Sequence, residues 1–210
     1  MKILLINGSP HEKGCTYTAL TEIEKTLHEE GLETEIVQLS TAPIRGCTGC
    51  GACAKMKCNR CVYDDDMVNH ILEKCESADG FVFGSPVHYA SAGGAITSLM
   101  DRMFYCGSRV MRTKPGCAIV SARRAGTTAT LDQLNKYFII SGMPIVPSQY
   151  WPMVHGNTPE QVAQDEEGLQ IMRQLGRNMA WMVKSFALAK EHGIEPPKPE
   201  SPRKWTNFVR

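Results

Sequence analysis

The sequence lacks an excess of either charge. Twenty-three Lys and Arg stand against 22 Asp and Glu, a formal net charge of +1. That balance builds no global field for nucleic acid or an anionic membrane, so neither partner is expected. No apolar run approaches the ~18 residues that a membrane span needs. The opening MKILLINGSP is interrupted too early by Asn7, Gly8, Ser9 and Pro10 to read as a signal peptide. A cytoplasmic location is therefore expected, where thiols stay reduced. Internal repeats and low-complexity tracts are absent, apart from a proline-rich end with Pro196, Pro197, Pro199 and Pro202. There is no Ser–His–Asp signature and no His-Glu-x-x-His, so nucleophilic hydrolysis and zinc-peptidase chemistry have no carrier.

What is present suffices for a core: 42% of the 210 residues are hydrophobic. The length fits one domain with an extension. Short apolar runs at 2–6, 80–84, 117–121 and 143–146, and a weakly alternating stretch at 33–39, read as five strands. Helical patterns lie between them. The first carries Leu20, Ile23 and Leu27 on one face and closes at Gly31. The second covers 67–76 behind Asp66 as a cap, the third 92–105 with Ile96, Leu99 and Met103 inward, and the fourth 130–140. Thr158, Pro159 and Gln161 form a capping-box pattern that opens one long helix to about His192, stopped by Gly193. Strands alternating with helices, each strand apolar on both faces, predict an α/β three-layer sandwich around a five-stranded parallel sheet. The strand count favours flavodoxin-like order.

In such a sheet ligands bind beyond the carboxyl ends of the strands. The loop after the first strand, residues 8–18, supplies hydroxyls on Ser9, Thr16 and Thr18 and then a helix N-terminus. That combination suits a phosphate, although the same residues also serve as ordinary caps. It is neither a Walker loop nor Gly-x-Gly-x-x-Gly. The loop after the third strand has Pro86 to stiffen it and His88 and Tyr89 to flank a flat ring. The loop after the fourth, 121–127, brings Arg123 and Arg124 to the same edge.

GSPHEKGCTYTAL, GSPVHYASAGGAITSLMDR and CTGCGAC, occurring in that order, resemble the NAD(P)H-dependent FMN reductase and iron–sulfur flavoprotein family over residues 1 to about 150. The resemblance implies FMN as cofactor. It implies Ser9, His11, Cys15, Thr16 and Thr18 around the phosphate and ribityl chain, and Pro86, Val87, His88 and Tyr89 against the ring. Ser121, Arg123, Arg124 and Gly126 would border the pyrimidine edge. Two departures stand out: Cys15 where the family often has Asn, and Ala-Arg-Arg where a glycine-rich loop is usual. FMN carries the electrons itself, so no protein residue need be catalytic. The domain is expected over 1–193 with a cysteine-rich loop inserted at 40–65, followed by a docked tail at 194–210. The activity expected is electron transfer from NAD(P)H to flavin, a quinone or a similar small-molecule acceptor. The alternative is an iron–sulfur flavoprotein in ferredoxin-linked electron transfer, and a third reading is a flavin-binding module without turnover.

Nine cysteines need a reading, and five lie within fifteen residues. Cys47-x-x-Cys50-x-x-Cys53, followed by Cys58 and Cys61, can surround a [4Fe–4S] cube, with either later cysteine as the fourth ligand. The same thiols could hold zinc. The reading placed first is a metal-free turn near the flavin or a subunit interface. Cys75 and Cys117 read as buried small hydrophobes, Cys15 and Cys106 as scattered. The late helix carries Val162, Leu169, Met172, Met179, Met182, Val183 and Phe186 at near-helical steps, with Trp181 beside them. The tail holds Arg203, Lys204, Trp205, Phe208 and Arg210. With Ile44, Met56 and Val62 these apolar groups predict a covering surface and a homodimer or homotetramer.

Overall fold

The computed structural model describes residues 1–39, 41–202 and 204–206. Strand β1 (Lys2–Asn7) is central because it is apolar on both faces. Ile3 and Leu5 point to one side, Leu4 and Ile6 to the other, and all four are fully buried. It pairs in parallel with β2 (Glu33–Gln38) and with β3 (Gly80–His88). Beyond β3 lie β5 (Gly116–Ala122) and β6 (Met153–His155), giving the order β2-β1-β3-β5-β6. The two-residue β4 (Ser91–Ala92) folds back antiparallel on the end of β3.

Two cores follow from the alternation. Leu4, Ile6, Phe81, Phe83 and Val120 pack under α3 (Val68–Ser77), α4 (Gly94–Met111) and α5 (Thr127–Ser141). Ile3, Leu5, Val82 and Ile119 pack under α1 (Cys15–Glu29) and α7 (Glu166–Glu191). Short helices α2 (Ala52–Met56) and α6 (Pro159–Val162) complete the described elements.

The expected fold class is observed, with three corrections. Residues 143–146 form a single bridge, Gly116 to Ile145, and not a strand. Gly116 N–H donates to Pro144 O and Val146 N–H to Gly116 O, both at 2.9 Å, and the pairing goes no further. The fifth parallel strand is β6, where Val120 N–H reaches Pro152 O at 3.0 Å. The long helix is broken: Thr158 caps α6, and Asp165 then accepts from Gly168 N–H at 3.0 Å and starts α7 afresh. In the tail Trp205 is 78% exposed, so the single chain does not bury it. Arg203, Phe208 and Arg210 lie outside the described residues.

Candidate functional site

Three loops meet at the carboxyl edge of the sheet. Gly8 N–H bonds Gly84 O at 2.8 Å, tying the β1 loop to β3, and a Cβ at Gly8 would sit 2.6 Å from that oxygen. The loop then depends on Asn7, fully buried. Its Oδ1 accepts from Ser9 N–H at 3.2 Å and its Nδ2 donates to Glu12 O at 3.1 Å, while Gln38 Nε2 donates to Ser9 O at 2.7 Å. Ser9 Oγ accepts from His11 N–H at 3.1 Å. The Thr16 and Ser121 hydroxyls are 2.8 Å apart and both buried, so they fasten the first turn of α1 to the end of β5. Thr18 Oγ1 donates back to Gly14 O at 3.2 Å, and the Cys15 thiol to Gly156 O at 3.7 Å. Burial raises the Cys15 thiol pKa.

Helices α1, α4 and α5 begin at Gly14, Gly93 and Gly126 with no side-chain cap, whereas α6 and α7 are capped by Thr158 and Asp165. Uncapped first turns leave N–H groups and the positive end of the helix dipole open to an anion. Pro86 and Val87 are half-buried beside them, and His88, Tyr89, Arg123 and Arg124 are exposed. Tyr89 and Ala90 both take positive φ, 51° and 58°, in the two-residue turn joining β3 to β4. Ala90 packs on Gly126, where a Cβ would come within 2.6 Å of the Ala90 Cα. Every residue expected around the flavin therefore lies at the carboxyl ends of β3 and β5, on the loops that follow β1, β3 and β5, or on the first turn of α1. The residues expected at the phosphate lie on the β1 loop and the first turn of α1, and those expected at the ring lie at the β3 and β5 ends. A cavity of about 320 Å³ adjoins the β1 loop, walled also by Leu39, Pro43, Ile44 and Gly94.

The cysteine loop forms a second centre. Cys47, Cys50, Cys53 and Cys61 line one pocket together with Arg102 and Cys106; Cys58 does not line it. Cys61 is held at its backbone by buried Asn69. Cys61 N–H donates to Asn69 Oδ1 at 2.8 Å and Asn69 Nδ2 donates to Cys61 O at 3.0 Å. Its sulfur accepts from Arg102 Nε–H at 3.3 Å. Arg102 also donates to Tyr63 O at 2.8 Å, to Arg45 O at 3.3 Å and to the Asp66 carboxylate. Burial works against the Arg102 charge, but hydrogen bonds to Cys61 and Asp66 outweigh it and hold the guanidinium more firmly protonated than usual. The Ala52 N–H stabilises the Cys50 thiolate and lowers that thiol's pKa. Cys106 is no scattered cysteine: it faces the same pocket, burial pushes its thiol up to about 12, and its S–H bonds Arg102 O at 2.9 Å.

Asn7, Gln38, Asn69 and Arg102 are the residues that sequence reasoning missed. Arg102 left a signal, an arginine on the apolar face of α4 between Leu99 and Met103. Asp66 was read as a cap and does accept from Val68 N–H at 3.1 Å, but its second oxygen binds Arg102.

A parallel sheet of this order, with phosphate-type first turns and ring-flanking loops at its carboxyl edge, defines a flavodoxin-like flavoprotein. The chain belongs to the NADPH-dependent FMN reductase family, whose model matches residues 1–158, and this is a family of FMN-binding oxidoreductases. It is similar to an iron–sulfur flavoprotein of Methanocaldococcus jannaschii, 34% identical over 194 residues that span 88% of this chain and 98% of the relative. It is also similar to one of Methanosarcina thermophila, 27% identical over 184 residues, 85% and 93% of the two chains. Among solved structures, RosB with bound 8-demethyl-8-formylriboflavin-5′-phosphate superposes with a TM-score of 0.70 at 14% identity, covering 100% of this chain and 93% of that one. An archaeal flavodoxin gives 0.59 at 15% identity, covering 88% and 99%. The expected family, fold and FMN cofactor are thus borne out. No helix of the described residues is long and apolar enough to cross a membrane.

Proposed function

We propose that the chain is an electron-transfer iron–sulfur flavoprotein, with FMN at the carboxyl edge of the sheet and a [4Fe–4S] cluster on Cys47, Cys50, Cys53 and Cys61. The observation that carries this reading is the shared pocket: four of the five clustered cysteines face it, and the fourth in sequence, Cys58, is left out. The relatives named iron–sulfur flavoproteins support it. It replaces the metal-free turn as the first reading of the loop. Among the described residues no three Cys, His, Asp or Glu side chains are gathered to hold a single metal ion.

When bound, FMN would supply one- and two-electron chemistry and the cluster one-electron transfer. The chain's own part is positional. The open turn of α1 with Ser9 and His11 holds the phosphate. Pro86, Val87, His88 and Tyr89 orient the ring, and Arg123 and Arg124 oppose negative charge that builds on its pyrimidine side. Helix α4 links the two centres: Gly94 starts at the flavin edge and Arg102 reaches the cysteine pocket, about 12 Å along the axis at 1.5 Å per residue. Half-exposed Met56 and Val62 near the pocket, with exposed Trp181 and Leu188 on α7, support a homodimer or homotetramer.

The partner this reading takes is a ferredoxin; the alternative donor is NAD(P)H, with flavin or a quinone as acceptor. Anaerobic spectra of the purified protein separate them. Flavin bands near ~450 and ~370 nm over a broad brown shoulder, bleached faster by reduced ferredoxin than by NADH or NADPH, are expected. A yellow protein without the shoulder that NAD(P)H reduces rapidly would instead establish the reductase reading.

A further inference from the structure

We propose that Arg102 acts through Cys61 to raise the reduction potential of the cluster, an inference that rests on the cluster assignment above. Arg102 is the largest fully buried side chain of the described residues, 1% exposed. A buried cation is costly and persists where several partners compensate it. Two carbonyls and the Asp66 carboxylate would suffice to moor the loop. The Nε–H is directed elsewhere, to Cys61 Sγ at 3.3 Å. Because Asn69 holds both the N–H and the C=O of Cys61, that residue's backbone is fixed independently of the arginine. Cys47, Cys50 and Cys58 are exposed by contrast.

Hydrogen bonds to the sulfurs and local net charge set iron–sulfur potentials. A donor and positive charge at Cys61 stabilise the state that carries one more electron. The electron comes from the external reductant, no covalent bond forms or breaks at Arg102, and its proton stays in place. Arg102 is therefore a positioning residue whose effect appears in the potential. Asp66 opposes part of its charge, so the pair predicts shifts of opposite sign.

The test is a dithionite titration of the FMN- and iron-loaded protein, followed by the electron paramagnetic resonance signal of the reduced cluster, with the flavin potential as internal control. Asp66→Asn leaves the cation uncompensated and is expected to raise the cluster midpoint. Arg102→Met combined with Asp66→Asn leaves the net charge unchanged and removes the donor. It is expected to lower the one-electron equilibrium constant about tenfold, about 59 mV. The flavin potential stays put in both. If the double variant does not fold, Arg102→Lys keeps the charge but loses the planar fork, and a smaller fall is expected. Shifts of the same sign in both variants, unchanged potentials with full iron, or variants that keep FMN but lose iron would each overturn the proposal and leave Arg102 as a loop anchor. Wild-type protein without iron would fail the cluster assignment itself, before any variant is compared.

Discussion

The hydroxyls of Thr16 and Ser121 meet at 2.8 Å beneath the carboxyl edge of the sheet, 105 positions apart in the chain. Each is buried, so each satisfies the other. Thr16→Val alone strands the Ser121 hydroxyl, at a cost of about 1–3 kcal/mol. Adding Ser121→Ala removes the stranded group, and the double variant should be less destabilised than the sum of the singles. Urea unfolding at fixed FMN concentration measures this, and strict additivity would show that the two hydroxyls are not partners.

The turn at Tyr89 and Ala90 carries strain, since both residues sit in the left-handed region that such turns give to Asn and Gly. Ala90→Gly is expected to stabilise the fold by about 1 kcal/mol. Tyr89→Gly should stabilise similarly but weaken FMN binding, because the fully exposed ring is assigned to the flavin. Equal FMN affinity in the Tyr89 variant, by fluorescence titration, would remove Tyr89 from the site.

Stability should fall in alkali. Burial pushes the Cys75 thiol from 9.0 up to about 12, and raises fully buried Cys117 as well. Above pH 9.0 the unfolded chain releases these protons while the fold retains them, so ionisation favours unfolding. The contribution is whole below that pH and is lost as pH rises toward 12. The urea midpoint should drop between about pH 9 and pH 12, more shallowly in Cys75→Ala. An identical slope in the variant would contradict this account.

The sheet was legible because its inner strands are apolar on both faces and its edge strand alternates weakly: β1, β3, β5 and β2 appear where these patterns predict them. The edge was not. Pro144-Ile145-Val146 looks like a strand but is boxed in by prolines, while β6 is only three residues long and has no pattern to detect. Asp165 was unreadable as a cap because the helical period runs through it. At the site, the loops were readable from chain order, since strand ends converge by topology. The residues that hold them were not. Asn7, Asn69 and Arg102 act through contacts 2 to 57 positions away, and no single spacing reports such pairs. Which of Cys58 and Cys61 lines the pocket likewise needed the fold, since both lie within reach of the same motif.

Iron and acid-labile sulfide per chain, in protein purified anaerobically with FMN bound, test the central claim most directly. The account predicts about four of each in the wild type and in Cys58→Ser, and their loss from Cys61→Ser with FMN retained. Iron kept by Cys61→Ser and lost from Cys58→Ser, or a wild type that binds FMN and holds no iron, would contradict it.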